Sequence, residues 1–251
     1  MTLDLSVFEK FDFEYQPVGM KILLTKPCGY RLLDKTLAFC EMVKEAQKEG
    51  AFYTNKESHN CMMGPYLLGM IENDAIMESG HIGPKLGTHS DPRANRRVYD
   101  QMYRLTCGTV NYVLFAPLDQ IDFQPDILIV VAKPAQAEVI LRAKGFYDGS
   151  GWNAKGTTIG GCNYMFMYPY VTGELNMMVS GLHHGMRARN VYPEGLLFLS
   201  IPFNLLPGII AALNEMVWDL PQYTWGKETH LARMREIVLS VEKELYEAGN
   251  D

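Results

Sequence analysis

The stretch NYVLFAPLDQIDFQPDILIVVAKPAQAEVIL, from Asn111 to Leu141, decides the fold class. It contains two apolar runs of strand length, NYVLFAPL and DILIVVAK, which are separated by the polar segment DQIDFQP. Pro134 then opens a helical segment, because proline is tolerated in the first turn of a helix. An uninterrupted run such as ILIVV is typical of a central strand covered on both faces, as in mixed or parallel sheets. We therefore predict an α/β (α+β) fold in which helices flank a mixed β-sheet.

Further strands and helices are predicted on either side of this stretch. Toward the N-terminus, VGMKILLT (Val18 to Thr25) has the composition of a strand, and the segment from Lys35 to Gly50 has helical periodicity with Cys40 in its middle. Toward the C-terminus, a glycine-rich connection leads into CNYMFMYPYVTGELNMMVSG, which predicts a helix, a turn and a strand. The strand LLFLSIP and the helix PFNLLPGIIAALNEMVW follow. Alternation of this kind supports one mixed sheet with helices packed around it.

The C-terminal segment has the pattern of an amphipathic helix. Between Glu228 and Ala248, apolar side chains recur at three- and four-residue spacing, at Leu231, Met234, Val238, Val241 and Leu245. Such a helix either caps the domain or pairs with a second subunit. We interpret residues 1–251 as a single domain with a helical extension over about 224–249, and we predict a homo-oligomer.

Composition and charge exclude several classes of function. Hydrophobic residues make up 47% of the 251 residues and charged residues 21%, which are ordinary values for a folded domain. The formal net charge of −6 and the short basic clusters argue against a nucleic-acid partner. No apolar stretch is long enough for a membrane helix, and the N-terminus lacks the order of a signal peptide. We therefore expect a cytoplasmic protein with no membrane insertion.

The common nucleotide and hydrolase motifs are absent from the sequence. It contains no G-x-x-x-x-G-K-[ST], and the glycines of GSGWNAKGTTIGG do not follow a strand with the spacing of a dinucleotide-binding turn. It also lacks the G-x-S-x-G of α/β-hydrolases. The residues themselves therefore favour neither a kinase, nor a dinucleotide-binding enzyme, nor a serine hydrolase.

Three of the five cysteines stand in informative surroundings. Cys61, in HNCMMG, and Cys162, in IGGCNY, are both expected near helix starts, where the helix dipole favours a thiolate. Cys40 is expected on a helix. No C-x-x-C pair is present, so a metal site would need ligands from distant segments. Core packing is the alternative for each cysteine, and we keep it for Cys28 and Cys107.

The segment HHGMR, from His183 to Arg187, is the second candidate feature. Histidines followed by glycine at a strand exit can present one imidazole to a site, while the neighbouring His184 serves another face. The alternative is a surface loop with two solvated imidazoles. Arg187 can bind an anionic substrate or form a salt bridge with a carboxylate. Methionines such as Met62 and Met165 flank the cysteines; they suit Cu(I), but we favour an adaptable apolar lining.

The order of these motifs resembles a known family. Six segments together are similar to the domain-of-unknown-function family number 169, the uncharacterised ArCR family of anaerobic archaea and bacteria. They are PVGMKIL, AFCEM, HNCMMGPYLLGM, the proline-aspartate stretch FAPLDQIDFQPDILIVVAKPAQAEVIL, GGCNYMFMYPYVTGELNMMVSGLHHGMR and LLFLSIP. The similarity covers about 18–213. The family pattern implies four characteristic cysteines, of which three match Cys40, Cys61 and Cys162. His183 stands where the fourth cysteine is expected.

The resemblance implies a metal- or iron–sulfur-binding protein of anaerobic redox metabolism. Three sulfurs and one imidazole are a legitimate ligand set for an iron–sulfur cluster or for a single Fe or Zn ion. A small molecule or a redox protein is the expected partner. The metal ligands would be Cys40, Cys61, Cys162 and His183, and the side chains around the cofactor would be Met62, Met165, His184 and Arg187.

Three other functions are compatible with the same residues. The protein can bind a haem-like tetrapyrrole or another large cofactor, with a histidine as axial ligand and a lining of methionine and aromatic side chains. It can be a metal-free enzyme in which Cys61 is the nucleophile and His59 or His183 the base. It can also be a non-catalytic assembly protein that docks through its C-terminal helix.

Overall fold

The computed structural model describes residues 3–72 and 75–248. The chain divides into two compact units, Met1–Asn214 and Glu215–Asp251. The interpretation of the whole chain as a single domain stays a prediction. The first unit is built on a seven-stranded sheet, in the order β2-β3-β4-β1-β5-β7-β6. The strands are β1 Tyr15–Leu23, β2 Arg31–Leu32, β3 Phe52–Thr54, β4 Tyr112–Pro117, β5 Ile127–Ala132, β6 Asn176–Val179 and β7 Leu197–Pro202.

The sheet is mixed, as the sequence predicts. β2 and β3 pair in parallel, and all the other neighbouring strands are antiparallel. Every residue of β5 is buried, so the uninterrupted run ILIVV is a central strand covered on both faces. Both neighbours of β5 are antiparallel, and the single parallel pair among the described strands lies at the far edge. The expectation of an α+β fold with a mixed sheet and flanking helices is confirmed.

Ten α-helices are found in the described residues. Their bounds are α1 Phe39–Glu49, α2 Met63–Leu67, α3 Ala75–Glu78, α4 Ile82–Lys85, α5 Pro92–Asp100, α6 Pro134–Gly145, α7 Tyr168–Thr172, α8 His184–Ala188, α9 Leu206–Glu215 and α10 Lys227–Ala248. A π-helical segment spans Asn163–Met167, and short 3₁₀-helices span Ser6–Phe11, Lys56–Ser58, Leu118–Gln120, Phe203–Leu205 and Pro221–Thr224. The C-terminal helix is therefore confirmed.

The helix that carries Cys40 begins later than the periodicity indicates. Cys40 is the second residue of α1, not its middle, because α1 starts at Phe39. The backbone N–H of Leu37 donates to the Ser58 carbonyl at 2.9 Å, and the Leu37 carbonyl accepts from the N–H of Asn60 at 3.1 Å. These long-range bonds hold the preceding residues extended, so tertiary pairing overrides local helix propensity. Cys40 consequently lies in the first turn of α1.

Asp126 explains why the proline-aspartate motif precedes the central strand. Its Oδ2 accepts from the N–H of Ile22 at 2.7 Å, and its own N–H donates to the Met20 carbonyl at 2.8 Å. Its carbonyl accepts from the N–H of Phe203 at 3.0 Å. Asp126, which directly precedes β5, is therefore hydrogen-bonded both to β1 and to Phe203, the first residue after β7. Burial raises the pKa of the Asp126 carboxyl, against the lowering effect of its bond to Ile22.

Within residues 3–72 and 75–248, no helix has both the length and the apolar character needed to cross a membrane.

Candidate cysteine site

Cys40 lies at the N-terminus of α1, where the peptide dipoles favour a negative charge. Its side chain is buried in the apolar core. Glu41, one residue on, closes the helix start by accepting the backbone N–H of Ala38 at 2.7 Å. The sequence around Cys40 therefore places a thiol at a capped helix end inside low-dielectric surroundings, which is a position that activates cysteine when a hydrogen-bond donor is near.

Cys162 lies in the first turn of a second helix. This helix runs continuously from 161 to 172 and contains the π-helical segment Asn163–Met167 directly after Cys162. The N–H of Asn163 donates to the Gly160 carbonyl at 2.9 Å, and the Asn163 side chain donates to the Tyr103 carbonyl at 2.6 Å. π-Helical insertions occur frequently at functional sites. The expectation of a helix start at Cys162 is confirmed.

The two thiols face each other. The Cys162 thiol stabilises the Cys40 thiolate by hydrogen bonding, and this lowers the pKa of Cys40 against the opposing effect of burial. The bond and burial both raise the pKa of Cys162 well above its ordinary value. Cys40 is therefore the more acidic thiol of the pair and Cys162 the less acidic one. Such an arrangement provides one nucleophilic or metal-binding sulfur and one sulfur that becomes available only when its proton leaves.

Cys61 is the third sulfur of this cluster. It is half-buried, packs against the same apolar core as Cys40 and Cys162, and precedes α2 by two residues. Its negative charge would raise the pKa of Cys162, so the two groups lie within electrostatic reach. We call Cys40, Cys61 and Cys162 the thiol cluster. Cys28 and Cys107 lie outside it and are exposed.

Two polar side chains, Tyr192 and Arg189, lie near Cys40, and sequence patterns do not reveal them. The pKa of the Tyr192 hydroxyl is raised well above its ordinary value by burial and by the nearby Cys40 charge, and the hydroxyl donates to Gln47 at 2.7 Å. The Arg189 guanidinium lowers the pKa of Cys40 and lies 3.5 Å from Glu41. Neither group stands in a local motif, because both come from segments distant in sequence.

His59 is an unsatisfied imidazole beside the thiol cluster. Neither ring nitrogen has a hydrogen-bond partner among the described residues, and both are buried. Its ring contacts that of Phe39 edge-on, with centroids 5.8 Å apart, and Phe39 stacks on Phe166 at 3.9 Å. Burial lowers the pKa of His59 to about 4, so the ring is neutral at pH 7. A Cβ at Gly64 would lie 2.8 Å from His59 Nδ1, so only glycine permits this approach of α2.

The His183 ring packs against Gly161, the residue before Cys162, and lines a separate cavity. Its Nδ1 donates to the Thr157 carbonyl at 2.7 Å, and its ring rests on Gly161, where a Cβ would come within 2.5 Å of Nδ1. Burial lowers the pKa of His183, so its imidazole is neutral at pH 7. His183 also lines a cavity of about 430 Å³ with Lys155, Gly156, Thr158, Met177 and Leu182. Its Nε2 is the ring nitrogen left for a ligand.

The four remaining site residues have separate surroundings. Arg187 pairs with Glu194 at 3.0 Å on the surface, which is the salt bridge that the sequence offers as one alternative. Met165 is completely buried in the core, whereas Met62 is 42% exposed. His184 begins α8, and its backbone N–H donates to the Thr158 carbonyl at 2.8 Å. Their assignment to a cofactor site stays a prediction.

The fit of this site to a metal is partial. Three thiols are a suitable donor set for a soft metal or an iron–sulfur cluster. Among residues 3–72 and 75–248, however, no group of three or more His, Cys, Asp or Glu side chains is arranged to hold a metal ion. Metal binding would therefore require the three sulfurs to approach one another. Cys40 and Cys162 lie in helices, whereas the half-buried Cys61 lies before α2, outside any helix or strand.

Comparison with known proteins assigns the chain to a family. An uncharacterised protein of Methanocaldococcus jannaschii is 25% identical to this chain over 208 residues, which are 80% of this chain and 88% of the relative. No solved structure gives a significant match. The model of the uncharacterised ArCR family matches residues 8–212, which contain the thiol cluster and His183. The chain therefore belongs to the domain-of-unknown-function family number 169, the uncharacterised ArCR family.

Proposed function

We propose that this protein binds an iron–sulfur cluster or a single Fe or Zn ion through Cys40, Cys61 and Cys162, and that it serves anaerobic redox metabolism. The observation that carries the proposal is that three thiols from three distant segments pack at the same apolar core and interact electrostatically: Cys162 lowers the pKa of Cys40, and a Cys61 charge would raise the pKa of Cys162. A metal ion would replace the proton that Cys162 holds and neutralise the charge that three neighbouring thiolates would accumulate.

The surroundings of the cluster support a ligand role. Cys40 and Cys162 both lie in the first turns of helices, which stabilise negative charge. Arg189 adds a positive charge beside Cys40. His183 remains the proposed fourth ligand, because burial lowers the pKa of its imidazole and its neutral Nε2 can coordinate. To do so, it must turn from the cavity toward the cluster.

Purification without oxygen, followed by elemental analysis and an absorption spectrum, tests the proposal. We expect stoichiometric Fe or Zn in the wild-type protein, and, with Fe, a charge-transfer band that bleaches in air. Cys162→Ser should lose the metal. Cys107→Ser, which changes an exposed cysteine outside the cluster, is the matched control and should retain it.

Metal-free wild-type protein with unchanged stability on adding Fe or Zn would contradict the proposal. If the metal-free protein is instead alkylated rapidly at a single cysteine and this alkylation abolishes its enzymatic activity, the metal-free enzyme with a cysteine nucleophile replaces the metal-binding proposal.

A second candidate function is favoured by the setting of His183. The cavity of about 430 Å³ places Met177 and Leu182 near an anchored, neutral imidazole, which is the chemistry of an axial ligand for a tetrapyrrole or another large cofactor. Titration with haemin tests it: His183→Ala should abolish the Soret shift, and His184→Ala, which changes the neighbouring ring, should preserve it. An unchanged shift in His183→Ala would exclude His183 as the ligand.

A further inference from the structure

The helix α10 carries a continuous apolar stripe that is exposed along its length. Leu231, Met234, Val238, Val241 and Leu245 are between 40% and 69% exposed. They follow one another at alternating steps of three and four residues, which is the spacing of the a and d positions of a coiled coil. We call these five side chains the α10 seam. With 22 residues, α10 is about 33 Å long, enough to form a paired helix along the whole seam.

The charges beside the α10 seam select the partner. Arg235 and Glu242 occupy the same flanking position, one helical repeat apart, and neither forms an ion pair with any described residue of the chain. Charges away from the seam are satisfied within the helix: Arg233 lies 2.9 Å from Glu236, and Lys243 lies 3.8 Å from Glu247. Arg235 and Glu242 are therefore unpaired charges that border the apolar stripe.

We propose that α10 pairs with α10 of a second copy of this chain in an antiparallel coiled coil. With the two-fold axis between Val238 and Val241, each Val238 packs on Val241 of the other copy, and each Met234 packs on Leu245. Arg235 of each copy then lies beside Glu242 of the other, which gives two ion pairs by symmetry. This interface does not depend on the proposed metal site.

A parallel pair does not satisfy the same charges. In a parallel coiled coil, a side chain at the g position faces the e position of the next heptad on the other helix. Arg235 would then face His230, and Glu242 would face Ile237. The antiparallel orientation is thus the one in which opposite charges meet.

The molar mass of the full-length chain across a range of concentrations tests the pairing. Wild-type protein should shift from monomer to dimer. Val238→Glu, in the α10 seam, should remove the dimer. Leu239→Glu is the matched control, because Leu239 is the adjacent residue and 64% exposed but lies outside the seam, so the dimer should persist. Circular dichroism of both variants checks that the helix content is the same.

Charge reversal tests the orientation. In Arg235→Glu, residue 235 of each copy becomes a glutamate beside Glu242 of the other copy, so two repulsive contacts replace the two ion pairs. The dissociation constant of the dimer should rise about tenfold. The double variant Arg235→Glu/Glu242→Arg should restore the wild-type constant, and Arg233→Glu, away from the seam, should leave it unchanged. A wild-type chain that stays monomeric at every concentration, a trimer or larger assembly, or no rescue in the double variant would overturn the antiparallel pair.

Discussion

The Cys162 thiol lowers the pKa of the Cys40 thiol, and the two residues occupy the first turns of two different helices. This contact joins segments that are distant in sequence and places a low-pKa thiol beside a high-pKa thiol. Cys61 adds a third sulfur within electrostatic reach. The chemistry proposed for this protein follows from that geometry.

Removal of the Cys162 donor should raise the pKa of Cys40. In Cys162→Ala the Cys40 thiolate loses its hydrogen bond but remains buried, so it should form only at higher pH than in the wild type. Titration of the thiolate ultraviolet absorbance in the metal-free protein measures the change. Cys107→Ala is the control. It removes an exposed thiol and should leave the pH at which the Cys40 thiolate forms unchanged. An unaltered Cys40 transition in Cys162→Ala would refute the hydrogen-bonded pair.

Protonation of His59 should destabilise the folded protein in acid. The folded-state pKa is about 4, against 6.5 for an unperturbed histidine, so the unfolded chain binds more protons between these values. Stability is therefore unaffected by this group above about pH 6.5 and falls as the pH drops toward 4, by up to about 3 kcal/mol.

Urea unfolding at pH 7 and pH 5 measures the effect of His59. His59→Leu should lose less stability between the two pH values than the wild type, because the leucine cannot be protonated. His81→Gln, at an exposed histidine, should behave like the wild type. An equal loss of stability in His59→Leu and the wild type would rule out His59 as the source.

Asp126 should contribute to stability through the β1 contact. Asp126→Ala leaves the partly buried N–H of Ile22 without its acceptor, and we expect a loss of about 1–3 kcal/mol in the free energy of unfolding. Asp119→Ala removes an exposed aspartate from the neighbouring turn and should cost much less. Equal losses in the two variants would contradict the bridging role of Asp126.

An added methyl group at Gly161 should displace His183. The new Cβ would meet Nδ1 of His183 at 2.5 Å, and we expect a loss of about 1–3 kcal/mol together with a shift of the His183 imidazole resonances. Gly151→Ala is the matched control, because a Cβ there meets no atom within 4 Å. If His183 and the stability are unchanged in Gly161→Ala, the ring does not rest on Gly161.

The fold could be predicted wherever local pattern and tertiary packing agree. The run ILIVV identifies a fully buried central strand, and Pro134 does open α6. Asp91 and Pro92 mark the start of α5, where the Asp91 side chain accepts from the N–H of Ala94 at 2.9 Å. The start of α1 could not be predicted, because the pairing of Leu37 with the segment around His59 depends on contacts between distant segments.

The candidate site could be predicted only in outline. The resemblance to the family selects Cys40, Cys61 and Cys162, and these three pack at the same apolar core, with Cys162 interacting with both of the others. Sequence patterns carry no sign of Tyr192 or Arg189 beside Cys40, because a side chain's neighbours across the fold leave no local periodicity. Likewise, the anchoring of His183 by the Thr157 carbonyl depends on the path of a glycine-rich connection.

Titration of the metal-free protein with Co²⁺ under anaerobic conditions tests most directly whether Cys40, Cys61 and Cys162 form one metal site. Cobalt bound by thiolates gives intense sulfur-to-metal charge-transfer absorption, whose strength increases with the number of sulfurs bound. We expect saturation at one equivalent with a three-thiolate intensity, a weaker band in each of Cys40→Ser, Cys61→Ser and Cys162→Ser, and no change in Cys28→Ser. A wild-type spectrum without charge-transfer absorption, or one unaffected by the three substitutions, would contradict a shared thiolate site.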